Sequence, residues 1–349
     1  MRLRPLQLPF VFRGAAALLT TALLSLVPAP AAAQGGPTKS GPVQGGQFQV
    51  TAQTDSRRLA PLRVDFAARV PGDVAVRWDF GDGQAAQGPQ VSHTYYRPGR
   101  YAAQVILSRE GREVGRSQMT VEVKSQGAEK AGLVLLLGRG TVTLSDVGSV
   151  VYVPYQSRFT LDGQQLGGPT ASLQAGTHTA SVQIAAGAGT LSRSLRFQIP
   201  AGELRSSPTY EDQVLRAVNL LRQSRYNCAT GRTDGVARPP LTRMPALDRA
   251  ALAHALAMPT AGFVDHTSRL DGSTPAQRIQ AAGYPNASTA ENIAAGQPTP
   301  AEAVAGWLDS PGHCAALMGD YTQTGLSYVQ VPGSDYVHYW VQVFGRPQP

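Results

Sequence analysis

Cysteine is nearly absent: the 349-residue chain holds only Cys228 and Cys314, too few for a small disulfide-stapled scaffold and enough for one bridge. Long apolar runs are also missing once the first 33 residues are set aside, so no membrane span is expected in the mature chain. Charge is sparse at 15% of residues, and lysine is scarce beside arginine. The formal charge falls from +8 to +5 when Arg2, Arg4 and Arg13 are discounted, and the remaining arginines are scattered. A nucleic-acid partner would need a basic stripe, so none is expected. No H-E-x-x-H occurs, nor any other compact metal motif. No Arg-Arg pair or cysteine accompanies the N-terminal segment, which argues against twin-arginine export and lipid attachment.

What is present begins with a targeting signal. Arg2, Arg4 and Arg13 form a basic region, Gly14 to Val27 an apolar one, and Ala31-Ala32-Ala33 a small-residue cleavage site. Residues 1–33 therefore read as a signal peptide, which implies a secreted protein, extracellular or periplasmic; a bacterial source is an assumption beside this reading. In that oxidising compartment a Cys228–Cys314 disulfide is the expected state of the two thiols. Residues 34–47, rich in Gly, Pro, Ser and Gln, read as a flexible leader.

From Phe48 the hydrophobic period becomes two. Val74, Val76, Trp78 and Phe80 alternate with more polar residues, and the alternation returns over Tyr101 to Leu107 and Met119 to Val123. Gly81-Asp82-Gly83 and Pro98-Gly99 supply turns, so 48–125 predicts a β-sandwich. Trp78-Asp79-Phe80-Gly81-Asp82-Gly83, with Ser92-His93-Thr94-Tyr95 and Gly99-Arg100-Tyr101, resembles a PKD domain, an Ig-like extracellular spacer. His93 is expected to be structural. After a polar linker at 125–130, residues 131–200 form a second β-rich, Ig-like module acting as a spacer. Its strands are expected at Leu133 to Leu137, Val150 to Val153, Ser181 to Ile184 and Ser194 to Ile199, with His178 also structural.

Past Pro200 the period becomes helical. Val214, Leu215, Val218 and Leu221 form an apolar stripe, Leu247 to Met258 an Ala-rich helix ended by Pro259, and Thr274-Pro275 opens a third helix. His254 on the second helix is expected to be a packing or surface residue. Thr299-Pro300-Ala301-Glu302 is a capping box that starts a helix running to Ser310-Pro311-Gly312. Strands follow at Thr324 to Val331 and Tyr336 to Phe344. The predicted architecture is multidomain: all-β Ig-like sandwich modules followed by an α+β domain over 206–349.

In that last domain, Asp265-His266-Thr267, Arg278-Ile279-Gln280-Ala281-Ala282-Gly283-Tyr284, Ala290-Glu291-Asn292-Ile293 and Trp307 to Cys314 occur in order. Together they resemble a CAP-superfamily (SCP-like) domain, which implies an α-β-α sandwich. The resemblance carries a cleft onto His266, Glu291 and His313, while the family's second glutamate falls on Ser310. Two imidazoles and a carboxylate suit a divalent metal such as Zn²⁺, and the same polar groups suit a water-filled binding cleft. Cys314 beside His313 does not predict a catalytic dyad, because neighbours on an extended segment point to opposite faces. The expected function is therefore a non-catalytic extracellular binding protein, with a metal ion or small apolar ligand such as a lipid in the cleft. A metal- or His-assisted hydrolase and an adhesion protein contacting cell-envelope carbohydrate or protein are the alternatives.

Overall fold

A computed structural model describes residues 48–187, 189–285 and 287–347. The expected signal peptide and leader lie outside the described residues.

Period-two burial along Leu62–Arg69 and Ala75–Asp79 leaves one apolar face on each strand. These faces meet between two sheets. One is built from Gln49–Thr54, Leu62–Arg69 and Gln90–Tyr95; the other is built from Ala85–Gln87, Ala75–Asp79, Gly99–Arg109 and Arg112–Val123. Phe66, Trp78, Phe80, Tyr95 and Leu107 fill the space between them, and every buried member of this core lies within residues 50–123. His93 stacks on Phe80 at 4.0 Å, and its Nε2 lies 2.7 Å from Asp82 Oδ2, pinning the turn. Gly81 in that turn has φ +77°, and a Cβ there would stand 2.8 Å from the backbone of Ala102, so only glycine fits.

Residues 131–200 pair into two further sheets. Val134–Gly138, Thr141–Ser145 and Thr170–Ser172 make one; Gln164–Gln165, Gln156–Leu161, Gly176–Ala186 and Gly189–Ile199 make the other. Residues 150–153 do not form the expected strand. Val150 makes one bridge with Lys130, and Pro154 lacks the N–H that a continuing ladder would use. His178 clamps a turn through Asp162 Oδ2 at 2.7 Å and the Gln174 carbonyl at 2.9 Å.

The C-terminal region places helices on both faces of a sheet. Its helices are α1 Pro208–Gln223, α2 Pro245–Ala261, α3 Pro275–Ala281, α4 Pro300–Leu308 and α5 Pro311–Leu317. The main path of the sheet runs Arg205–Ser206, Gln323–Gln330, His338–Pro347 and Ala287–Ala295. Along His338–Pro347, Tyr339, Val341 and Val343 pack with α2, while Trp340 and Phe344 pack with α1 and α4. Alternation on a pleated strand thus produces the three layers. Two helix ends differ from the sequence pattern. Proline 259 does not stop α2; the helix runs to Ala261, and Gly262 ends it in the left-handed region. The helix from Pro300 stops at Leu308, and Pro311 starts α5, so His313 and Cys314 lie on a helix and not on an extended segment. Cys314 is bonded to Cys228, 86 residues away, which ties the turn after α1 to α5.

The second β module is joined to this domain by a shared core. Nearly every face of α2 is buried, because its Ala-rich surface admits close neighbours on both sides. At Gly325 a Cβ would stand 2.0 Å from the Leu247 backbone, so strand and helix touch directly. The other side of α2 receives Val134–Gly138, and Leu133 to Leu137 belong to the same apolar cluster as Leu247, Leu256 and Met258. Asp271 adds a polar tie: its Oδ2 accepts from Leu135 N at 2.7 Å, and its carbonyl accepts from Arg193 at 2.7 Å. A free-standing spacer is not what this packing describes, since the continuous apolar run of 133–137 is buried in part by a helix more than a hundred residues later.

Leu135→Ala should therefore destabilise the C-terminal domain, although residue 135 lies outside it, by about 2–5 kcal/mol for a core leucine. Hydrogen exchange at the α2 amides reports this. Unchanged protection of α2 would show that module and domain are stable separately.

Candidate functional site

The edge strand Ala287–Ala295 sets the site by register. Glu291 lies opposite Val343 and Asn292 opposite Gln342, so their side chains leave opposite faces of the sheet. Glu291 is directed to the side of α2 and α3, where it is buried. Arg278, on α3 and also buried, donates from Nη2 to both carboxylate oxygens, at 3.0 and 2.8 Å. The same guanidinium donates to the Ser273 and His266 carbonyls at 2.7 and 2.9 Å. One side chain thereby fixes the carboxylate and the loop after α2 together. Thr274 and Gln277 form a capping box that starts α3 and so places Arg278.

His266 lies on that loop, with its Nδ1 3.0 Å from Glu291 Oε1. Burial pushes the Glu291 carboxyl up, but the His266 hydrogen bond and the Arg278 charge together hold it below the usual glutamate range. As an ionised acceptor it takes the proton of His266 Nδ1 in a hydrogen bond, which orients the ring with Nε2 on the far side. The His266 side chain is 46% exposed. His254, expected at a surface or in simple packing, is fully buried beneath this pair. Its Nε2 donates to the Asp265 carbonyl at 2.8 Å and lies 3.8 Å from Glu291 Oε1; its buried Nδ1 has no partner among the described residues.

His313 arrives from the opposite face. Asn292 Nδ2 donates to its carbonyl at 3.1 Å, and its ring centre lies 6.2 Å from that of His266 across the sheet edge. Burial, and next the charge of His266, lower its pKa. Two structures hold α5 in place. One is the Cys228–Cys314 bond, and the other is Arg222 of α1. Arg222 is buried, forms no ion pair among the described residues, and donates to the carbonyls of Pro239, Leu317, Gly319 and Tyr321 at 2.6–3.0 Å. Burial lowers its pKa to about 10, so it remains a cation against the carbonyl-rich end of α5.

The three sequence-derived residues thus differ in role. His266 and His313 face each other, whereas Glu291 is bonded to His266 and Arg278 and lies beneath the pair. A three-donor metal centre does not fit this arrangement, because both Glu291 oxygens are claimed by Arg278. Among the described residues no group of three or more His, Cys, Asp or Glu side chains is arranged to hold a metal ion. Sequence reasoning missed Arg278 and Arg222 as buried cations, and Asn292 as the support of α5. The signal available for Arg278 was a charged residue next to Ile279 on a short apolar helix.

The buried histidine has a consequence for pH. Burial lowers His254 to about 4 from 6.5, so between these values the unfolded chain binds the proton and the folded chain does not. Stability should fall as pH drops from 6.5 to 4, by on the order of 3 kcal/mol. In denaturant unfolding, His254→Gln should flatten the slope in this window; an unchanged slope would assign the loss to other groups.

Sequence similarity agrees with the fold. Residues 215–344 match the family model "CAP: Cysteine-rich secretory protein family", and residues 47–124 match the PKD domain model. An uncharacterized protein of Bacillus subtilis, YkwD, is 30% identical over 126 residues, which is 36% of this chain. The match covers 44% of YkwD, so the chain spans less than half of that relative's length. Among solved structures, an outer surface protein from Borrelia burgdorferi is 23% identical, covering 42% of this chain and 99% of its own, with a TM-score of 0.36. An extracellular protein containing a SCP domain from Bacillus anthracis is 15% identical over 89% of each chain, with a TM-score of 0.33. On the family models, residues 215–344 are a CAP domain and residues 47–124 a PKD domain.

Proposed function

We propose that this chain is exported by its 1–33 signal peptide and acts as a non-catalytic extracellular binding protein, with His266 and His313 as the ligand contacts. The observation that carries this reading is the state of Glu291. A general base needs an accessible carboxylate, and this one is buried, ionised and held by Arg278 and His266. Its part is to orient His266. The two cysteines are bonded to each other, which removes the thiol as a nucleophile. What remains on the solvent side is a pair of imidazoles able to hydrogen-bond the polar end of a small ligand, with a lipid or a cell-envelope component as the chemical class.

No helix among the described residues is long and apolar enough to cross a membrane.

After incubation with a lipid extract, native mass spectrometry of the purified chain should show a bound small molecule that is absent from His266→Ala/His313→Ala. A panel of peptide and ester substrates should give no turnover above buffer. Hydrolysis by the wild type that disappears in His313→Ala would overturn the reading in favour of a hydrolase.

A further inference from the structure

A cavity of about 710 Å³, away from the histidine pair, lies in the seam between the 131–200 module and the CAP domain, within the size range of small-ligand pockets. We propose that this seam is a second binding site, and that it takes a small anionic amphiphile: an apolar body carrying a carboxylate.

Two features of the lining converge on that class. Leu136 and Leu137 from the module and Leu252 of α2 line the opening, so apolar residues reach it from two separate parts of the chain. Arg139, in the turn after Val134–Gly138, and Arg249, on α2, are exposed at the opening and form no ion pair among the described residues. The Arg249 head is held in place by donating to the Ala282 carbonyl at 2.7 Å, which leaves its charge uncompensated. Arg243 pairs with Glu211 at 2.9 Å and with Asp248 at 2.9 Å, which leaves one negative charge among these three, so that with Arg139 and Arg249 the charged side chains of the lining sum to +1. Apolar walls select the body, and the two arginines select the charge. The site shares no residue with the Glu291 cluster, so it stands or falls separately from the histidine pair.

Fluorescence titration of the full chain with 8-anilinonaphthalene-1-sulfonate, an anionic aromatic probe, tests the proposal. Saturable binding at one site is expected, with displacement by decanoate and none by decylammonium at the same concentration. Arg139→Ala/Arg249→Ala, at exposed positions where folding should persist, should weaken decanoate at least about tenfold, the scale of losing hydrogen bonds to charged groups. Arg139→Glu/Arg249→Glu should reverse the preference towards decylammonium. Non-saturating probe binding, equal displacement by both amphiphiles, or undiminished decanoate affinity in the alanine variant would each overturn it.

Discussion

The buried ion pair between Arg278 and Glu291 is the constraint on which the histidine site depends. Removing two charges from water is unfavourable, and such a pair persists only where geometry and extra hydrogen bonds offset the desolvation. Here Arg278 satisfies both carboxylate oxygens and two backbone carbonyls, while Glu291 also accepts from His266. Through this pair, α3, the loop after α2 and the edge strand are locked to one another. The orientation of His266 follows from the lock. The neutral state of His254 follows from burial, which outweighs the pull of Glu291 towards the cation, with the Arg278 charge adding to it.

The same chain uses two ways of joining units. The PKD domain closes a core from its own strands, and Tyr152 of the next module joins it: the side chain packs against that core, and its hydroxyl accepts from Gln126 N at 2.9 Å and donates to the Gly127 carbonyl at 2.7 Å. The second β module instead shares α2 with the CAP domain. A shared apolar core fixes relative position far more firmly than a few exposed hydrogen bonds, so the seam is a lasting feature of the structure. It is this fixed relation that gives the seam cavity stable walls.

Much of this was legible in the sequence because the relevant signals are local. Alternation at Val74, Val76, Trp78 and Phe80 specifies a half-buried strand, and Thr274-Pro275 and the capping box at Thr299 specify helix starts. The strand carrying Glu291 was not visible as a strand. Its residues, Ala287 to Ala295, are mostly small, so the contrast between its two faces is weak. Why 133–137 is continuously apolar was likewise not legible, since a run buried on both sides reads the same whatever covers it. The destinations of Arg278 and Arg222 also could not be read. A buried arginine is defined by acceptors distant in sequence, and in Arg222 these are all backbone carbonyls, which leave no mark in the residue types.

A double-mutant cycle on the ion pair tests the central claim most directly. Arg278→Met and Glu291→Gln should each lose about 3–5 kcal/mol, because each leaves its partner buried and unpaired. The double variant should lose much less than their sum, giving a coupling energy well above that of independent sites. Additive losses would contradict the account, since they would mean that Arg278 and Glu291 act separately and that nothing anchors His266 through them.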